Sequence, residues 1–282
     1  FRFVWQKGVL GNELCNCGAP FRECDFWKGV FEKAFGGFDE KFAAEMVALY
    51  HHTDRSRYLP LLLSPWKPSW FLNRCKKYVA IVQKLFITIR EESGCDVLVD
   101  SSKFAGYGLL LNMLPNASLY VVHLVRDSRG TAFSWQKRKR KPEVWYEIQY
   151  MKRYPLWHSA LQWMYRNAGA ELLRDKSDGY ILVRYEDFVR NPRKILRSIL
   201  HLVGESHKEN ELPLLEDNIV RLGKTHTQSG NPGRFQHGDV QISLNDSWMK
   251  QMSRGKQIFV AAMTWPLLIR YGYPLRPSTI ED

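Results

Sequence analysis

The sequence contains no stretch that reads as a membrane span, no internal repeat and no low-complexity segment. Its longest apolar run, Ile258 to Ile269, is broken by Thr264 and Pro266. A span needs about 18–20 apolar residues, so this run reads as a core helix. No Pro-, Gly- or Ser-rich linker divides the chain, which favours one domain over residues 1–282. Nothing at Phe1 reads as a signal peptide, and a cytoplasmic location is expected. A Walker-type phosphate loop is also missing. Gly223-Lys-Thr225 imitates its end, but the pattern Gly-x-x-x-x-Gly-Lys-[Ser/Thr] needs glycine where Asn218 stands. It also follows a helical pattern rather than a strand, which makes it a decoy.

Acidic residues are outnumbered: 29 Asp and Glu stand against 41 Lys and Arg, a net charge of +12. That excess favours anionic partners, whether nucleic acid, a phosphate-rich nucleotide, an acidic glycan or a membrane surface. Nucleic acid is disfavoured because the positive charge gathers at strand ends rather than along one helix, and no nucleic-acid-binding signature is present. Cysteines are few and odd in number, five. Cys75 and Cys95 stand alone and read as buried free thiols. Cys15, Cys17 and Cys24 cluster in Cys-Asn-Cys-Gly-Ala-Pro-Phe-Arg-Glu-Cys. A structural zinc needs four ligands, usually paired as Cys-x-x-Cys. Three thiols in this spacing would need a remote fourth, with His51 and His52 as candidates. A local disulfide and plain packing or capping compete with that reading, and no metal is assigned.

What is present is an ordinary globular composition, 45% hydrophobic and 25% charged, with enough chain for a sizeable core. The chain is organised around Ser118 to Trp135. Leu119 to Val125 is a short run of β-branched and aromatic residues that reads as a strand buried on both faces. Polarity then changes abruptly at Arg126-Asp-Ser-Arg129, and from Ser128 the spacing suits a helix with Ala132, Phe133 and Trp135 on its apolar face. A helix start offers unpaired N–H groups and the positive end of its dipole, so a basic strand-to-helix turn suits an anion. Arg126 ends the strand, where ligands gather in open α/β sheets. Ser134 follows roughly two helical turns later, and Arg138 one turn after that, on the same face. Lys137 to Lys141 is an unbroken basic run, read as a solvated helix end.

The rest of the chain alternates strands and helices. Residues 1–30 read as an irregular loop region pinned by Trp5, Phe21, Phe26 and Trp27. Residues 38–93 read as helices broken at Pro60 to Pro68, with Tyr78, Val82, Leu85, Phe86 and Ile89 at helical spacing. Val97 to Val99 reads as a short strand leading through Asp100-Ser-Ser-Lys103 into a helix that ends at Leu114. Trp157 to Leu173 reads as a helix, Gly179 to Val183 as a strand, and Asn191-Pro192 as the start of a helix to Gly204. Further helices lie around Trp248 to Arg270. The expected fold class is α/β, a parallel sheet with right-handed crossovers flanked by helices.

Arg126 followed by Ser134 at a strand-to-helix junction resembles the 3′-phosphate motif of sulfotransferases that use 3′-phosphoadenosine-5′-phosphosulfate (PAPS). Val99-Asp-Ser-Ser-Lys103 before it and Val183-Arg-Tyr-Glu-Asp-Phe188 after it support the resemblance, which covers roughly Asp96 to Tyr273. The pattern Trp-x-x-Gly, Cys-x-Cys-Gly, Cys-x-Phe-Trp near the start is similar to the bacterial-type members. The resemblance implies a P-loop-NTPase-like sulfotransferase fold and transfer of a sulfuryl group from PAPS to a hydroxyl acceptor, with 3′-phosphoadenosine-5′-phosphate (PAP) as product and no metal required. It assigns Arg126, Ser134 and Arg138 to the 3′-phosphate, Tyr185 to the nucleotide, Lys103 to the transferring group, and Asn231 and Arg234 to a late loop over the 3′-phosphate end. It implies a monomer or homodimer. The helical stretch 38–93 is a candidate cover for the acceptor, and the aromatics of Pro65 to Phe71, Trp145 and Tyr146 are candidate acceptor contacts. The family's glycine- and serine-rich phosphosulfate loop is not found, and is expected upstream of Phe1 together with a general base. A non-catalytic anion-binding relative and a basic nucleic-acid-binding protein are the alternatives.

Overall fold

The structure, a computed structural model, describes residues 3–206, 211–214 and 218–276. It divides into two compact units: Phe1–Ser118 with Arg140–Gln149 and Gly223–His237, and Leu119–Lys139 with Tyr150–Leu222 and Gly238–Asp282.

The first unit is helical. Its opening is not the expected irregular loop but a π-helical stretch, Val4–Leu10, followed by a single 3₁₀ turn at Phe21–Glu23. Gly8 makes this possible, because a Cβ there would lie 2.8 Å from the Phe21 ring. The pinning aromatics are real and extend into the helices. Trp5 meets Phe31, Phe35 and Phe42 edge-on at 5.4, 5.3 and 5.5 Å between ring centres. Such pairs contribute about 0.5–1.5 kcal/mol each beyond the area they bury. Helix α1 (Asp25–Phe35) supplies Trp27, Phe31 and Phe35 from one face and ends at Gly36, whose φ of +76° favours glycine. Helix α2 (Glu40–His51) is capped by Asp39, which accepts from the Phe42 amide. In α3 (Leu59–Leu63) Pro60 sits in the first turn, where proline is tolerated, so the break is confined to Ser64–Pro68. Helix α4 (Ser69–Ser93) buries Tyr78, Val82, Leu85 and Ile89 and packs on α1, α2 and α5 (Ala105–Leu111).

Val97 to Val99 is not a strand. No chain pairs with it among the described residues, and Val99 is 85% exposed. A run of β-formers does not become a strand without a neighbour to complete its ladder.

The second unit holds a parallel pair, β1 (Tyr120–Val125) with β2 (Gly179–Arg184), in register from Tyr120 opposite Gly179 to Val125 opposite Arg184. Between them run α6 (Ser128–Gln136) and α7 (Leu156–Glu171). After β2 come α8 (Tyr185–Arg190) and α9 (Pro192–Leu202), then the antiparallel pair β3 (Ile219–Leu222) and β4 (Gly238–Gln241), α10 (Ser247–Gln251) and α11 (Arg254–Arg270). The fold is thus α/β and rich in helix, with a small parallel sheet. β1 is not buried on both faces as expected. His123 and Val125 are buried, whereas Tyr120, Val122 and Leu124 are 39%, 43% and 56% exposed. The core lies on one side, where Val125 packs with Trp163, Leu268, Tyr271 and Tyr273.

Candidate functional site

The turn from β1 to α6 is built around a buried ion pair. Asp127 caps α6, accepting from the Arg129 amide at 2.8 Å. The Arg129 side chain, 1% exposed, returns to both oxygens of the same carboxylate, Nε to Oδ1 at 2.9 Å and Nη2 to Oδ2 at 2.6 Å. Its other contacts are the carbonyls of Pro274 and Leu275 and the Trp248 ring. Arg129 is therefore a structural arginine, and it occupies the carboxylate that would otherwise compete for Arg126.

Arg126 makes no ion pair among the described residues, since Asp187 is taken by Arg184 and Arg190. Its guanidinium stacks over Tyr185 at 4.8 Å, and Nη2 donates to the Asn245 carbonyl at 2.6 Å. It lies over the first turn of α6, where a Cβ on Gly130 would come within 3.4 Å of Nε. Tyr185 is held by its hydroxyl, which donates to Ser243 O at 3.3 Å and accepts from the Asn245 amide at 3.4 Å. Arg126 is thus a cation positioned by an aromatic face and a carbonyl, with most of its five donors uncommitted among the described residues.

Ser134 lies on α6, but Arg138 does not share its face. The helix stops at Gln136, and Lys137 is already extended, with ψ of 136°. Arg138 instead stacks on Tyr150 at 3.8 Å. The residue brought to Ser134 is Lys139, whose Nζ donates to Ser134 Oγ at 3.1 Å. The basic run is accordingly not just a solvated helix end. Burial first, then Lys137 and Arg126, push the Lys139 pKa below the usual lysine value. Three cations held this close favour an anion among them.

The remaining candidates lie in the first unit. Lys103 is exposed and has φ of +64°, a left-handed conformation that costs a non-glycine residue roughly 1–2 kcal/mol. It follows a tight turn in which Asp100 Oδ1 accepts from the Ser102 amide at 2.8 Å and from its hydroxyl at 2.5 Å. Asn231 caps the 3₁₀ turn Pro232–Phe235, accepting from the Gly233 amide at 3.2 Å. Arg234 is half-buried and donates to Leu14 O at 3.4 Å, while its Nε and Nη1 have no hydrogen-bond partner among the described residues. Burial lowers its pKa against the pull of Glu143, Glu13 and Cys15.

A family profile for sulfotransferases matches residues 30–209, well over half the chain. The chain belongs to the sulfotransferase family. Neither the curated proteins nor the solved structures returned a match. The matched span contains Lys103, Arg126, Ser134, Arg138 and Tyr185, whereas Asn231 and Arg234 lie beyond it.

In this sulfotransferase no helix among the described residues is long and apolar enough to cross a membrane. Sequence reasoning missed Lys139, though a lysine at that distance past the helix end was the available signal. It also missed the companion of the clustered thiols. His51 faces Arg55 and His52 faces Tyr58, while the imidazole beside Cys15, Cys17 and Cys24 belongs to His226. Of the candidate acceptor aromatics, Trp66 is 87% exposed, and Trp70, Trp145 and Tyr146 are each just over half exposed.

Proposed function

We propose that this sulfotransferase moves a sulfuryl group from PAPS to a hydroxyl acceptor on a glycan, glycolipid or small metabolite. The observation that carries the reading is Arg126, which stands at the C-terminal end of β1 with no carboxylate partner among the described residues and is pre-positioned on Tyr185. The residues fit a nucleotide bearing a 3′-phosphate. Arg126 offers a bidentate fork to that phosphate, Ser134 a hydroxyl donor, and Lys139 an ammonium whose charge is disfavoured first by burial and then by its cationic neighbours until an anion arrives. Arg138, stacked on Tyr150, is kept as a further candidate basic contact, and Tyr185 presents its ring to the nucleotide.

In the reaction the bond between sulfur and the phosphate oxygen breaks, a bond from sulfur to the acceptor oxygen forms, and the hydroxyl proton passes to a base. The protein's part is positioning and charge stabilisation. Lys103 is the candidate for charge growing on the transferring group, and its strained backbone is typical of residues held for function. The family resemblance adds Asn231 and Arg234 as further candidate nucleotide contacts. The exposed tryptophans offer faces on which a sugar or phenol can stack.

The test is a thermal-shift titration with PAP beside AMP, followed by transfer of labelled sulfate from PAPS to a panel of hydroxyl and amine acceptors. Saturable stabilisation by PAP that AMP does not match supports the 3′-phosphate assignment. Equal response to both nucleotides removes it, and transfer to amines alone overturns the acceptor class. Binding of PAP without transfer to any acceptor would favour a non-catalytic relative.

A further inference from the structure

Four potential metal ligands meet in the first unit, outside the span matched to the sulfotransferase family. Cys15, Cys17 and Cys24 come from one short segment, and His226 from a loop 202 residues beyond Cys24. Their ligand atoms all lie within 4.8 Å of one another.

The separations discriminate among the ways in which three thiols and an imidazole can meet. Cys24 Sγ lies 3.7 Å from Cys15 Sγ and 3.6 Å from Cys17 Sγ. His226 Nδ1 lies 3.2 Å from Cys24 Sγ and 3.8 Å from Cys15 Sγ. A disulfide requires sulfurs about 2.05 Å apart, and all three thiols are free. Zinc bonds of about 2.3 Å to sulfur and about 2.0–2.1 Å to nitrogen, set at tetrahedral angles, place sulfurs about 3.8 Å apart and sulfur about 3.6 Å from nitrogen. The observed spacings scatter around those values.

The frame around the four atoms is also built. The Cys17 amide hydrogen-bonds to the Cys15 sulfur, and the Trp27 amide to the Cys24 sulfur. Donors of this kind stabilise thiolates, and Cys24 stands at the N-cap of α1, where negative charge is favoured. Gly18, at φ of +98°, closes the turn that brings Cys15 and Cys17 together. His226 is oriented without help from the thiols. Its ring stacks on Phe26 at 4.6 Å, and its carbonyl accepts from Trp27 Nε1 at 2.9 Å. Asn16, between the two cysteines, reaches the same loop through Thr225 Oγ1 at 2.7 Å and Thr227 O at 3.1 Å.

We infer that Cys15, Cys17, Cys24 and His226 form a structural Cys₃His zinc site that ties the loop at 223–237 to the start of α1. The donor set, soft thiolates with one imidazole, selects zinc over the oxygen-seeking divalent ions. All four tetrahedral positions are filled by protein atoms, so the site is closed and structural rather than catalytic. Binding releases the protons still carried by the thiols, and no electron is transferred.

The experiment uses the full 282-residue chain purified under reducing conditions without chelator. Metal content by mass spectrometry is expected to be one zinc per chain. Cobalt exchanged for zinc is expected to give tetrahedral d–d absorption together with thiolate-to-metal charge transfer. Cys24→Ser and His226→Ala should each bring zinc close to zero after passage over a chelating resin. Cys95→Ser, which alters an exposed thiol elsewhere, should retain the full complement. His226 is exposed, so its variant reports even where Cys24→Ser does not fold, and the cobalt spectrum needs no variant at all. The inference is overturned by a reduced, folded chain that takes up neither metal, by a cobalt spectrum without thiolate charge transfer, or by His226→Ala retaining full zinc. A disulfide among the three cysteines in the native chain overturns it equally.

Discussion

Replacing Arg126 by alanine tests the nucleotide assignment most directly. Its guanidinium is fixed by the Asn245 carbonyl and the Tyr185 ring, so little ordering remains to be done when a phosphate arrives. Removing a charge-assisted contact of this kind costs about 1.5–3 kcal/mol, which is about 10- to 150-fold in affinity. The loss should fall on PAP and spare AMP, which lacks the 3′-phosphate, so the preference between the two nucleotides should collapse by that factor. Arg126→Lys keeps the charge but loses the planar fork and the Asn245 bond, and should fall between wild type and Arg126→Ala. Stability should hardly change, because no buried partner is orphaned. Calorimetric titration of both nucleotides against the three proteins measures all of this. If Arg126→Ala weakens PAP and AMP equally, or neither, Arg126 does not read the 3′-phosphate.

Arg129→Ala should behave in the opposite way: it leaves Asp127 buried and unpaired and should destabilise the chain by about 3–5 kcal/mol in denaturant unfolding, and a loss below about 1 kcal/mol would show that the pair is not structural. Lys103→Gly relieves a left-handed backbone while removing the ammonium, so turnover should drop sharply with stability unchanged or up to about 1 kcal/mol higher, and retained turnover would remove Lys103 from the reaction. His123 is buried between Asn167 Oδ1 at 2.8 Å and the Tyr180 hydroxyl at 2.5 Å, and burial above all holds its pKa below the usual value, with Arg174 lowering it further and Asn167 and Glu171 opposing. As pH falls through about 6.5 the unfolded chain takes up a proton that the folded one resists, so stability should decline below that pH by up to about 1.4 kcal/mol per unit. Comparing denaturant midpoints of wild type and His123→Gln between about pH 7.5 and 5.5 checks this, and identical pH slopes would refute it.

The sequence by itself determined the features whose cause is local. The apolar run before Arg126, the abrupt polar turn and the helical spacing after it specify β1, the turn and α6, because period and capping act within a few residues. The proline at 192, the long helix over Tyr78 to Ile89 and the family resemblance were legible for the same reason. Tertiary structure decided what depends on partners. β1 shows an exposed apolar face, and Val97–Val99 forms no strand, because burial and ladder pairing are set by neighbours that periodicity does not name. Arg138 leaves the Ser134 face and Lys139 takes its place because the chain turns extended at Lys137, a choice that helical spacing cannot register. The fourth companion of the cysteines is His226 rather than the nearer histidines, since separation along the chain carries no information about which loops the packed core brings together.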